Sequence, residues 1–106
     1  MASDDFEKFT SAHYLARHQE SAEKKMLWDE IALNLALKIN DDEIKGGLPS
    51  LYLNVAKCYE DLSDLLNAKA NYENALSHAN LLPDDGYGKM IKGGISDGLN
   101  RVILKS

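Results

Sequence analysis

With 106 residues, 44% of them hydrophobic and 27% charged, the chain has enough apolar material for one compact core and too little length for a second domain. Seventeen acidic residues against 12 basic ones leave a net charge near −5, the wrong sign for a surface that tracks phosphates with a basic stripe. No apolar stretch approaches the length a bilayer needs, so neither nucleic acid nor a membrane is expected as a direct partner.

Apolar residues recur at steps of three and four almost throughout, and no stretch alternates with period two, so the fold class expected is all-α. Asp4, with Glu7 three residues on, has the spacing of a capping box, and Phe6, Phe9, Ala12, Leu15 and Ala16 supply the stripe of a first helix reaching about His18. A second helix begins near Glu23 and carries Met26, Leu27, Ile31, Leu35 and Ile39, widened by Trp28, Ala32 and Ala36, before the polar break Asn40-Asp41-Asp42. Gly46-Gly47 interrupts again. Pro49 suits the first turn of a third helix, where a missing amide costs nothing, and Leu48, Tyr52, Val55, Ala56 and Tyr59 form its stripe.

Ser63-Asp64 marks a tight turn into a fourth helix, carrying Leu65, Ala68, Tyr72, Ala75, Leu76 and Ala79 and ending near Leu82-Pro83. So short a connection makes the third and fourth helices antiparallel. A last helix spans about Tyr87 to Ile103 with Ile91, Ile95, Leu99 and Val102 in register. Its Gly93, Gly94 and Gly98 each cost roughly 1 kcal/mol of helix propensity, which points to close backbone approach against the preceding pair.

From Tyr52 to Leu76 large and small side chains alternate in the order that two packed antiparallel helices need: Tyr52, Val55, Ala56 and Tyr59 on one, Ala68, Tyr72, Ala75 and Leu76 on the next. This order resembles a tetratricopeptide repeat (TPR), with Tyr52 in place of the usual tryptophan, Val55 of leucine and Ala56 of glycine. Pro83 falls late, which implies a lengthened second helix. Laying Ala12 under Ala56 places Leu15 under Tyr59, Trp28 under Tyr72 and Ile31 under Ala75, a degenerate first repeat, with Lys24 where the small Ala68 would be. The resemblance implies a single domain of antiparallel helix pairs, about 4–40 and 48–82, stacked as a short right-handed superhelix and closed by a capping helix over about 87–103.

Members of that family bind a peptide or helix in a concave groove lined by the first helix of each pair, so the resemblance implies a non-catalytic scaffold with a protein or peptide partner. The exposed faces expected to line it carry Phe9 and His13 on the first helix, and Leu53, Lys57, Glu60 and Asp61 on the third. Leu53 stands off the core stripe there, as a partner contact would. Asn54 and Lys57 are the types with which some members grip a C-terminal carboxylate, although the first pair offers no second basic cluster. A structural homo-oligomer, for example a homodimer built through the last helix, is the alternative expectation.

Signatures of catalysis are weak. His13 and His18 lie roughly 140° apart around a helix, not on one face as a metal pair would. His78 suits a helix end, where the dipole favours a partly cationic ring. Cys58 has no Cys-x-x-Cys partner and reads as a small buried hydrophobe. Asp41-Asp42-Glu43 lacks the ligand alternation of a calcium loop and reads as a solvated connection. Gly86-Tyr87-Gly88 lacks the third glycine of a dinucleotide fingerprint. No enzyme activity, cofactor or metal is therefore expected. The single cysteine and the acidic opening Met1-Ala2-Ser3-Asp4-Asp5 suggest a cytoplasmic address.

Overall fold

A computed structural model describes residues 2–18, 21–39, 41–80, 82, 83 and 85–105, apart from the side chains of residues 2–4 and 6. Its regular elements are all helices: α1 (Ala2–Arg17), α2 (Ala22–Lys38), α3 (Asp42–Gly46), α4 (Leu48–Asp61), α5 (Leu65–Ala79) and α6 (Gly86–Lys105). The all-α expectation holds, and α3 is an addition to the helices expected. No described helix is long and apolar enough to cross a membrane. The cap expected of Asp4 and the contact expected of Phe6 lie outside the described side chains.

Local chemistry sets the boundaries. Ser21 caps α2, its hydroxyl accepting the Lys24 N–H at 3.2 Å. Asp41 does the same for α3: one carboxylate oxygen accepts from Glu43 N–H at 2.8 Å and Ile44 N–H at 3.2 Å. The stretch expected to be an open connection is thereby wound into a turn that packs Ile44 on the core. Gly47 ends α3 and starts α4 at once, with Pro49 in the first turn. At the end of α4 the Asp64 N–H reaches back to Tyr59 O and the Ser63 N–H to Glu60 O, a Schellman closure that holds Ser63 at φ 64°. Asp64 then caps α5 through the Asn67 N–H.

One boundary differs from the sequence reading. Helix α5 ends at Ala79, capped by Asn80, and Leu82 turns back to bond Ala79 O and pack against the buried cluster of Ala75, Ala79, Ile91 and Ile95. The late Pro83 therefore reflects a longer connection and not a longer helix.

Contacts fix the directions of the helices. Asp29 meets Cys58 near the end of α4, while Ala36 and Ile39 share a hollow with Leu48 at its start, so α2 and α4 run antiparallel. Tyr52 stacks on His78 while Glu60 bonds Tyr72, so α4 and α5 are antiparallel too. Leu53 lies under Gly94 and Glu60 under Arg101, which makes α6 parallel to α4. The molecule measures 43 × 33 × 20 Å, and its smallest dimension equals about two helix diameters. One layer thus holds α1, α4 and α6, and the other α2 and α5.

The crossings are built from small residues. Ala32 and Ala36 of α2, with Ala12 of α1, are buried under Leu48, Leu51 and Val55, while Ala56 and Ala68 let α4 and α5 approach around Tyr72. Tyr52 and Tyr59 each pack against two of the buried clusters, filling the spaces between neighbouring helices as the sequence order suggested. Helix α6 closes the far side of the α4–α5 pair with Ile91, Ile95 and Val102 buried. Gly98 is where the α6 backbone meets the Tyr72 side chain of α5, since a Cβ there would stand 2.3 Å from the ring. Gly94 has only Leu53 nearby and Gly93 has nothing.

Candidate functional site

The six residues expected to bind a partner fall into three groups. Lys57 and Asp61 are exposed and bond each other at 2.6 Å across one turn of α4. Leu53 and Glu60 do not lie on an open face, contrary to the sequence reading. Leu53 packs between α5 and α6, and Glu60 is buried beneath α6, its side chain only 4% exposed. Both were read as free because the helix that covers them is distant in sequence. Phe9 and His13 remain at the surface of α1 as neighbours, their rings stacked with centroids 6.0 Å apart.

Those two side chains line a groove of about 200 Å³. Helix α1 touches α2 and leaves a gap towards α4, which Phe9, Ile44 and Leu51 fill only in part. Gly47, Ser50 and Leu51 around the α3–α4 junction and Tyr87 of α6 line it too, so α1, α4 and α6 all contribute to it. Glu43 and Ser50 add a carboxylate and a hydroxyl.

His13 differs from the other histidines. His18 and His78 each place Nδ1 within 2.9 Å of the carbonyl four residues earlier, at Tyr14 and Asn74. The buried Nδ1 of His13 has no such partner. Leaving a buried polar atom unbonded costs on the order of 1–3 kcal/mol, which sets this ring apart from the other two. Sequence reading found Phe9 and His13 but missed Glu43, Ser50 and Tyr87. Tyr87 was the detectable one, an aromatic at a helix start with no place in the stripe of α6.

The remaining titratable groups hold helices together. The Glu60 carboxylate receives Arg101 Nε at 2.8 Å, Arg101 Nη2 at 3.1 Å, Tyr72 Oη at 2.7 Å and Lys105 Nζ at 3.4 Å. The Arg101 hydrogen bonds, against the opposing effect of burial, hold its pKa down at about 2. Asp29, fully buried, is paired with Arg17 at the end of α1 and accepts from Cys58 Sγ at 3.5 Å. Burial and then the Asp29 charge push the Cys58 thiol up to about 12, which removes the thiolate that nucleophilic chemistry needs. Tyr59 donates to Glu30 at 2.7 Å, and that bond pushes its phenol up to about 12.

Beyond a hollow of about 430 Å³ along Thr10, Ser11, Tyr14 and Leu15 of α1, two larger ones lie elsewhere. One, about 540 Å³, runs between the end of α2, α3 and the end of α5, with Leu37, Ile39, Leu48 and Leu82 in its walls. The other, also about 540 Å³, is a cleft between α1 and α2 to which Leu15, Trp28, Ile31 and Leu35 contribute. Among the described residues no group of three His, Cys, Asp or Glu side chains is placed to hold a metal ion. Comparison with known proteins finds no matching family model, no similar curated protein and no similar solved structure.

Proposed function

We propose that the chain is a short TPR-like stack, without catalysis of its own, that binds a peptide or helix of a partner protein in the groove shared by α1, α4 and α6. The observation that carries this reading is the convergence of Phe9, His13, Leu51 and Tyr87 on one groove from three parallel helices of one layer. That is the layer from which a TPR-like scaffold binds. The small residues Ala56, Ala68 and Ala75, all buried, and the gap-filling Tyr52 and Tyr59 support the same reading. The groove holds side chains and not a whole helix, so a docked helix would lie across its mouth.

A photo-crosslinking amino acid at Ser50, in the groove, and at Leu66, 81% exposed on α5, tests the assignment in native lysate. A discrete adduct from Ser50 that Leu66 does not give, and that Tyr87→Ala removes, is expected. Equal adducts from both positions, or none from Ser50, would refute it.

Self-association through α6 is a second reading, favoured by Met90 at 64% and Leu104 at 85% exposure. Its surface would be these outward side chains, since Ile95 and Gly98 of the same helix are buried, Gly98 against Tyr72 of α5. Sedimentation decides: a dimer that Met90→Asp with Leu104→Asp turns into a folded monomer supports self-association, and a wild-type monomer excludes it.

A further inference from the structure

We propose that the groove accepts the guanidinium of an arginine side chain from a basic segment of the partner; the inference rests on the groove reading above and assigns the chemistry of its occupant. Charge is the first argument. The groove's one carboxyl side chain is Glu43, exposed and without an ion pair or side-chain hydrogen bond among the described residues, in a chain of net charge −5. Of the lysines nearest in sequence, Lys8 lines the cleft between α1 and α2 and Lys45 the cavity beside α2 and α5, and Lys89, two residues past Tyr87, is not part of the groove lining. The positive end of α6, beside Tyr87, is already met by Asp85, which accepts the Gly88 N–H at 2.8 Å.

Shape and chemistry narrow the occupant further. A volume of about 200 Å³ suits one long side chain. Two aromatic rings border it, half-buried Phe9 and Tyr87 at 47% exposure, and a planar cation is attracted to such ring faces. A guanidinium carries five N–H donors, enough to meet a carboxylate and still reach other acceptors. The His13 ring, which the groove also exposes, offers an acceptor of this kind in the tautomer that leaves Nδ1 unprotonated.

The test is an NMR titration of the full chain with capped pentapeptides that differ only at the central residue: arginine, citrulline, glutamate or leucine. Citrulline keeps the shape of arginine and removes the charge. The arginine peptide should shift the ring resonances of His13 and Tyr87 saturably, with citrulline binding on the order of tenfold more weakly, as loss of a charged hydrogen bond implies. Glu43→Gln should weaken the arginine peptide by about the same factor and leave citrulline unchanged. Equal binding of arginine and citrulline, or indifference to Glu43→Gln, overturns the proposal. If the leucine or glutamate peptide instead shifts His13 and Tyr87 most strongly, the arginine assignment falls while the groove reading stands. If no peptide moves those rings, the arginine assignment falls as well, and the Ser50 cross-link independently judges the groove.

Discussion

Replacing Gly98 by alanine sets two effects of known sign against each other. Helix propensity favours alanine by up to about 1 kcal/mol in a helix interior. Against it, the new methyl would lie 2.3 Å from two Tyr72 ring carbons and 2.8 Å from its hydroxyl, where carbon atoms in contact prefer about 3.5 Å. The Tyr72 ring cannot retreat, since it is fully buried against Ala56, Ala68 and Val102 and its hydroxyl is held by Glu60 at 2.7 Å. Helix α6 must therefore move outward by roughly 1 Å, and overpacking of this kind costs about 1–3 kcal/mol. Loosening the bond from Tyr72 to a charged acceptor adds to that cost. The net expectation is a loss of about 1–2 kcal/mol, a fall of about 1 M in urea midpoint at the slope usual for a small domain. Gly93→Ala, with nothing within 4 Å of its added methyl, is the control and should gain about 0.5–1 kcal/mol. Urea unfolding followed by circular dichroism reads both. A Gly98→Ala variant as stable as wild type would refute the close seating of α6 on Tyr72.

Two further outcomes follow from buried titratable groups. Glu60 is held at about 2 against an ordinary 4.5, so its contribution is complete above about pH 5 and is lost as pH falls towards 2. The magnitude is at most about 3 kcal/mol, since Arg101, its main partner, has a side chain 43% exposed and is screened by water. Glu60→Gln should be less stable than wild type at neutral pH, and denaturant melts of the two should converge near pH 2; a constant difference would contradict the assignment. For Cys58, 1% exposed and with its thiol raised to about 12, alkylation by iodoacetamide should be at least about 1,000-fold slower in native than in unfolded protein. Labelling at comparable rates would show that the α2–α4 joint is open.

Helices with a long apolar stripe and clear punctuation were legible in the sequence. Pro49 after Gly46-Gly47 announced α4, and the alanines of α4 and α5 announced a close crossing. Helix α3 was not legible, because its five residues hold a single apolar side chain, Ile44, and one turn has no period to read. The clue present was Asp41 placed to cap, which polar composition disguised as a loop. Glu60 was misread for a different reason. A glutamate on a helix is normally solvated, and its burial here depends on Arg101 and Lys105, more than a helix pair away along the chain. Phe9 and His13 were found from one helix alone, whereas Glu43 and Tyr87 join them only through the placement of α3 and α6. Local pattern reports which face a side chain is on, and says nothing of which distant segment comes to lie over it.

The latch on Glu60 makes the α1–α2 end and the α5–α6 end of the helix assembly inequivalent as building surfaces. An additional helix pair grafted after α5 would have to displace α6, stripping Arg101 and Lys105 from a carboxylate that would then be buried unpaired. At the other end, Arg17 and Asp29 pair within the α1–α2 unit itself, and the cleft containing Trp28, Ile31 and Leu35 is lined by those two helices alone. Adding helices there breaks no interhelix ion pair and covers apolar surface, with Glu7 and Lys8 the charged side chains it would meet, so an engineered extension has one favoured direction of growth.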